Sequence, residues 1–170
     1  MKRKLLTCLL ALITAVSISA CTSTPQTDTN TQTDTQTQTE AKKSTENSNN
    51  EELGDSLIEI GDSKLAKTYD GKDAIIINIK YTNNSEDAQS YMTSMIGKAF
   101  QDGVELSSAI IMDTDAYDAE SQMKEVKKGA SIDVQVAYEL SNTTSDIEFE
   151  VEEFLGMSDK KATKTFKISE

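Results

Sequence analysis

Four patterns in this chain contain residue types that do chemistry. The run "DTDAYDAE" puts Asp113, Asp115, Asp118 and Glu120 within eight residues. Calcium takes several oxygen ligands from flexible carboxylate loops of this kind. The run lacks the glycine at the sixth position and the glutamate at the twelfth that a helix–loop–helix calcium site uses. A solvated acidic loop is therefore the plainer reading, with calcium as its alternative. The second pattern is Glu148, Glu150 and Glu152 at alternate positions. A row of glutamates on one sheet face can meet a basic partner, or it can be a solvated face that guards an edge strand. Third, Ser-x-x-Lys occurs at Ser121 to Lys124 and at Ser158 to Lys161. On a helix that spacing sets a lysine beside a serine nucleophile. Neither copy lies in a long helical pattern, and no Lys-Thr-Gly accompanies them. Fourth, a carboxylate pair can cleave a glycosidic bond, but acidic residues are so frequent here that no pair stands out.

The missing residue types narrow the chemistry further. The chain has no His and no Trp, no Arg after Arg3 and no Cys after Cys21. That removes the general base that works near neutral pH, histidine metal sites, the guanidinium clamp for phosphate or carboxylate and a thiol nucleophile. Residues 53–170 carry 12 lysines against 23 acidic residues, a net charge of −11. Nucleic acid is excluded as a partner, because binding it needs a positive footprint. The same charge disfavours lying flat on an anionic membrane.

The elements that must position these residues have a period of two. Ile75, Ile77, Ile79 and Tyr81 share one face of "AIIINIKY". Ile132, Val134, Val136, Tyr138 and Leu140 alternate with Asp133, Gln135, Ala137 and Glu139. Ile147, Phe149 and Val151 alternate with the three glutamates. One buried and one wet face mark an antiparallel sheet. Weaker strands are expected in "SLIEIGDSKLAK", "YMTSMIGKAF", "VELSSAII" and "TKTFKIS", for about seven in all. Asp102-Gly103 suits a type I′ hairpin, and Asp70-Gly71 and Lys128-Gly129 mark further turns. A loop with a helical turn is expected over residues 117–126. The sum is an all-β, antiparallel β-sandwich. Met92, Met95 and Met112 are expected to fill core rather than to bind metal or haem. Tyr69, Tyr91 and Tyr117 lie near strand ends, packed there or serving a binding surface.

Ahead of this domain the chain changes character twice. Lys2, Arg3 and Lys4 precede a mostly apolar stretch from Leu5 to Ile18. That is a secretory leader, too short to span a bilayer comfortably. It ends Ile18-Ser19-Ala20-Cys21, which resembles the lipobox of bacterial lipoproteins. The resemblance implies cleavage before Cys21 and a diacylglycerol on its thiol, enough to hold the chain at a membrane. The alternative is an ordinary secreted protein with Cys21 a stray thiol. From Thr22 to Thr39 threonine then recurs nine times among Gln, Asp, Asn and Ser. With neither face apolar, the tract cannot bury enough surface to offset its ordering entropy. It reads as a disordered tether with an r.m.s. span of about 30 Å, or as a Thr/Gln tract that self-associates. The expected organisation is a leader over 1–20, a lipidated Cys21 and linker over 21–52, and one domain over 53–170.

"VKKGASIDVQVAYEL", "KAFQDGVEL" and "IIINIKYTNNSE" together resemble a family of domains of unknown function in Gram-positive surface lipoproteins, with an immunoglobulin-like fold. The likeness runs from about Leu57 to Ile168. Gln101-Asp102-Gly103 matches the family's hairpin, Gly129-Ala130-Ser131 its entry to a long strand, and Asn83 the polar residue that closes an inner strand. The resemblance implies an immunoglobulin-like sandwich and an extracellular, membrane-anchored location. It implies no activity, and the Cys–Trp–Cys core of antibody domains is absent. The expectation is therefore a lipid-anchored, non-enzymatic binding domain without a cofactor. Its partners are the membrane through Cys21 and an envelope component or protein met by loops at the sandwich end distal to the tether. Three alternatives stay open: an envelope hydrolase using carboxylates or Ser/Lys, a calcium-binding lipoprotein and a solute-binding lipoprotein.

Overall fold

The computed structural model describes residues 48–156 and 158–168. The leader, Cys21 and the Thr/Gln tract lie outside the described residues. One sheet contains β1 (Asn50–Leu53), β2 (Ser56–Lys67), β3 (Asp73–Asn83) and β6 (Ser131–Glu139), in the order β1-β2-β3-β6. The other contains β4 (Met95–Gln101), β5 (Val104–Glu105), β7 (Ile147–Glu153) and β8 (Ala162–Phe166), in the order β5-β4-β7-β8. Every pairing is antiparallel. A single helical turn, α1 (Tyr91–Ser94), leads into β4, and a 3-10 turn spans Ala119–Met123.

The period-two residues form the seam. Ile75, Ile77, Ile79 and Tyr81 of β3 and Val134, Val136 and Tyr138 of β6 pack in one cluster with Ile147, Phe149 and Val151 of β7. Ala162 and Phe166 of β8 complete it. At about 25 cal/mol per Å² of apolar area removed from water, this seam is the main stabilising term of a domain without disulfides. The expected type I′ hairpin joins β4 to β5, with Asp102 at φ 51° and Gly103 at φ 77°. Gly71 and Gly129 also sit at positive φ in the expected turns.

Several expectations change. The sandwich includes residues before 53. Asn50, Glu51 and Glu52 of β1 lie inside the expected linker, β1 pairs with β2, and Leu53 is buried. One apolar residue in four gives no period to read. The stretch "YMTSMIGKAF" divides into α1 and β4. Ser90 marks the break, since its N–H donates to Thr93 Oγ1 at 3.2 Å. In "VELSSAII" only Val104–Glu105 is strand, because the chain then leaves its sheet. The Leu106 N–H donates to the Ala99 carbonyl of β4 at 2.8 Å. Next, Glu139 N–H donates to Ser107 O and Ala109 N–H to Ala137 O, both at 2.9 Å, so residues 107–109 pair with β6 of the opposite sheet. Beyond them Ala109, Ile111, Ala116 and Tyr117 cover Ala74, Ile76 and Ala137 on the outer face of the first sheet. Ala137, expected on a wet face, is therefore buried.

Two buried side-chain amides hold the ends. Gln101 Nε2 donates to the carbonyls of Asn142 and Ser145, both at 3.0 Å. Its Oε1 accepts from the N–H groups of Ser141 and Asn142 at 2.9 and 3.3 Å. Asn83 Nδ2 donates to the carbonyls of Asp87 and Val126, both at 2.8 Å, and its Oδ1 accepts from Ser85. A hydrogen bond contributes about 1 kcal/mol net, and a buried group left unpaired costs about 1–3 kcal/mol. Gln101→Leu should accordingly lower unfolding stability by about 2–4 kcal/mol. In urea denaturation with amide hydrogen exchange, protection should drop at Ser141 and Asn142 and persist at Gly129. A loss under about 0.5 kcal/mol would show that the loop holds itself.

Candidate functional site

None of the patterns singled out in the sequence converges into a reacting set. Asp113 Oδ1 accepts from the N–H groups of Asp115 and Ala116, closing its own turn. Asp118 Oδ1 caps the 3-10 turn by accepting from Glu120 and Ser121 N–H, and its Oδ2 meets Lys124 Nζ at 3.0 Å. The lysine holds the Asp118 carboxyl below the usual range. Among the described residues no three His, Cys, Asp or Glu side chains come together as a metal site. Ser121 is buried, donating to Asp118 O and accepting from Gln135 N–H, while Lys124 turns to Asp118. Ser158 accepts from Lys160 N–H, whereas Lys161 pairs with Glu150 and Glu152 at 2.7 and 3.3 Å. Neither serine faces its lysine.

The glutamate stripe lies on β7, between β4 and β8. It is an interior strand, so guarding an edge is not its role. Lys98 meets Glu152 at 2.6 Å across the β4–β7 ladder, and Lys161 bridges Glu150 and Glu152. These lysines hold the Glu152 carboxyl low and neutralise most of the stripe; Glu148 remains exposed. Met95 is core, as expected, whereas Met92 and Met112 are exposed, Met112 by 74 %. Tyr69 is exposed, Tyr117 half-buried and Tyr91 buried. At one sandwich end the β7–β8 loop presents Phe154 and Leu155, the latter 86 % exposed.

A space lined by three tyrosines lies on the flank. A cleft of about 190 Å³ opens between β4, the edge of β6 and the segment that crosses between the sheets. Tyr91, Tyr138, Tyr117, Gln122, Ser108 and Gly97 are among its lining residues, with Met92 and Met95. Gly97 is its floor. A Cβ built there would lie 2.9 Å from the Tyr91 hydroxyl, 3.1 Å from that of Tyr138 and 3.2 Å from the Phe149 ring. Glycine is required at 97 by space rather than by backbone conformation. Two phenol oxygens thus lean over one bare backbone position. Tyr117 donates no constraint of its own but accepts from Gln122 Nε2 at 3.2 Å.

Tyr91 is set by α1 and by an edge-to-face contact with Tyr81, at 6.1 Å between centroids. Tyr138 packs on Phe149 at 5.9 Å. Among the described residues the Tyr91 hydroxyl is buried with no hydrogen-bond partner. Burial pushes the Tyr91 and Tyr138 phenols above their ordinary range. Burial also raises Tyr117, with Asp118 adding to the shift. No lysine lines the cleft. Of these residues the sequence singled out Tyr91 and Tyr117 by their place near strand ends. Tyr138 read only as core, and Gly97 had no signal, because its role depends on two rings brought from elsewhere.

The family model for a domain of unknown function, DUF5067, matches residues 31–153. No curated protein matches the chain. A solved structure of a proposed lipoprotein from Staphylococcus aureus is similar with a TM-score of 0.51 at 17 % identity, covering 70 % of this chain and 92 % of that one. A protein from Enterococcus faecalis solved by NMR is similar with a TM-score of 0.53 at 19 % identity, covering 71 % and 90 %. At such identities the likeness is one of fold.

Two outcomes follow from the tyrosines. Removing an unpartnered buried hydroxyl spares its desolvation cost, so Tyr91→Phe should raise unfolding stability by about 1 kcal/mol in urea titrations. A loss of that size would reveal a bound partner for the hydroxyl. For pH, both phenols have folded values above the unfolded value of about 10. Their contribution is full below pH about 10 and is lost as pH rises through the folded values, because the unfolded chain releases its protons first. The urea midpoint should fall as pH rises above about 10, and fall less in a Tyr91→Phe/Tyr138→Phe double variant.

Proposed function

The chain belongs to the DUF5067 family of domains of unknown function, and on that footing we propose that it is a lipid-anchored surface protein whose β-sandwich binds a ligand and performs no catalysis. The carrying observation is the flank cleft, where the hydroxyl of Tyr91 is buried without a partner beside the open backbone of Gly97. A polar group left unsatisfied costs stability unless something supplies its partner. The charged patterns that would serve a hydrolase are engaged with one another. No cofactor is needed for this reading. Calcium-loop and solute-carrier alternatives have no comparable feature in their favour.

Location rests on the leader and on Ile18-Ser19-Ala20-Cys21, with the proposed lipoprotein of Staphylococcus aureus as a neighbour in fold. We place the domain on the outer face of a Gram-positive membrane, held by a diacylglycerol on Cys21, with an envelope component or protein as its partner. An immunoglobulin-like connectivity is part of the same reading. The orders β2-β3-β6 and β5-β4-β7-β8 correspond to strands A-B-E and C′-C-F-G of that fold. Crosslinking the tagged, full-length protein on intact cells tests the proposal. A reproducible partner should be captured by the wild type and lost with Cys21→Ala, which removes the anchor. Capture of nothing by protein shown to be folded and surface-exposed would overturn the interaction reading.

A further inference from the structure

The strand that changes sheets leaves part of β4 without a neighbour. Phe154 N–H donates to Ser94 O at 2.8 Å, and Leu106 N–H donates to Ala99 O. Within a strand, the N–H and C=O of one residue point to the same side, and the side alternates along the chain. Residues 94, 96, 98 and 100 therefore face β7, and 95, 97 and 99 face the β5 side. Ala99 is satisfied by Leu106. Met95 N–H is taken by Tyr91 O, as the end of α1. Gly97 points its N–H and C=O at the place where β5 would have continued, and there the chain has already crossed to β6. That place is the cleft.

We propose that the cleft takes the free amino end of an extended peptide, whose first residues fill the position β5 vacates and pair with Gly97. Backbone pairing at an open sheet edge is a general mode of peptide capture. This inference deepens the binding function proposed above and rests on it. Three observations select the occupant. An antiparallel partner residue presents one N–H and one C=O to Gly97, as a peptide does. A peptide running in the direction of β5 has its N-terminus against Leu106, and that buried residue blocks further extension. A chain end fits there and a through-going strand does not. The charge also selects. The cleft wall holds no charged side chain of either sign, and the domain around it is strongly acidic. An ammonium is favoured and a carboxylate end is not. The hydroxyls of Tyr91 and Tyr138 lie beside Gly97, on the side where its Cβ would stand, and that of Tyr91 has no partner among the described residues.

The test is NMR titration of the full-length protein in detergent micelles with tri-alanine amide, N-acetyl-tri-alanine amide and unblocked tri-alanine. Tri-alanine amide should shift the Gly97 amide saturably and bind at least about tenfold more tightly than the acetylated peptide. Unblocked tri-alanine should fall between them. Gly97→Ala puts a methyl between the two phenols and should weaken binding by about tenfold or more. Ser108→Trp fills the cleft from its exposed rim, leaves the core alone and should do the same, should Gly97→Ala not fold. Tyr91→Phe should bind about threefold more weakly while being no less stable. The proposal is overturned if no peptide moves Gly97 at millimolar concentration, if the acetylated peptide binds as well as the free amine, or if both cleft-filling variants bind like the wild type. A partner captured on cells alongside any of these would leave the binding function standing and remove only this site.

Discussion

Between Leu106 and Ser107 the chain stops pairing with β4 and starts pairing with β6. That change of sheet is the constraint to which the rest of the structure answers. Sheet edges present rows of unpaired backbone groups, and a β-sandwich without covalent staples has to cover them. Residues 107–109 cover the upper part of the β6 edge. Ser121 continues the work where its Oγ accepts from Gln135 N–H, and Gln135 Oε1 in turn accepts from Asp118 N–H. The same crossing segment drops Ala109, Ile111, Ala116 and Tyr117 onto Ala74 and Ile76, creating a second apolar layer outside the first sheet. The acidic run is thereby explained as architecture. Asp113 and Asp118 close the two turns that bend this segment over the sheet.

The other open edges are treated differently. On β8, Thr163 N–H donates to Ser48 O at 2.9 Å, while Asn49 O accepts from Ile60 N–H of β2 at 2.7 Å. Two consecutive residues, Ser48 and Asn49, thus tie one sheet to the other. Past that point β2 has an irregularity between Ile60 and Ser63. Lys164 reaches across from β8 to the carbonyls of Ile60 and Gly61, at 3.3 and 2.6 Å, with its ammonium 5.2 Å from the Phe166 ring. A long side chain that lays its stem on apolar surface and its charge on carbonyls suits this position. At the two ends Gln101 and Asn83 use both oxygen and nitrogen, so their burial costs little. The Tyr91 hydroxyl is the exception to this thorough pairing among the described residues. Its neighbour Gly97 is the backbone position on β4 that the crossing strand abandons. Both exceptions fall in one cleft.

Much of the fold was legible in the residues alone. Alternation of Ile, Val, Phe and Tyr with polar residues determines strands with one buried face, because side chains in a strand point to opposite sides in turn. The seam of β3, β6 and β7 is that pattern realised. Asp102-Gly103 determined its hairpin, since glycine meets positive φ without steric cost. The absence of histidine, and of arginine and cysteine after Cys21, narrowed the chemistry, and Ile18-Ser19-Ala20-Cys21 resembles a lipid-attachment site. Elsewhere the residues were silent or ambiguous. Asn50-Glu51-Glu52-Leu53 has no apolar period, and only β2 beside it makes it a strand. "VELSSAII" has the composition of a strand but spends it on two sheets. The glutamates of β7 read the same at an edge or in the middle of a sheet. The order of strands and the cross-strand Lys98 resolved the question.

The candidate site was the least visible part. Tyr91 belongs to α1, Gly97 to β4, Tyr117 to the crossing segment and Tyr138 to β6. No local pattern links residues that far apart, and each has an adequate local explanation as core or turn. From neighbouring residues alone comes an acidic sandwich over 53–170 with no cysteine, because burial periodicity, turn chemistry and composition are local properties. Tertiary structure alone decided where an edge is left open and which hydroxyls stand beside it. Those are properties of segments brought together by packing, and they depend on where the strand between β4 and β6 changes partners.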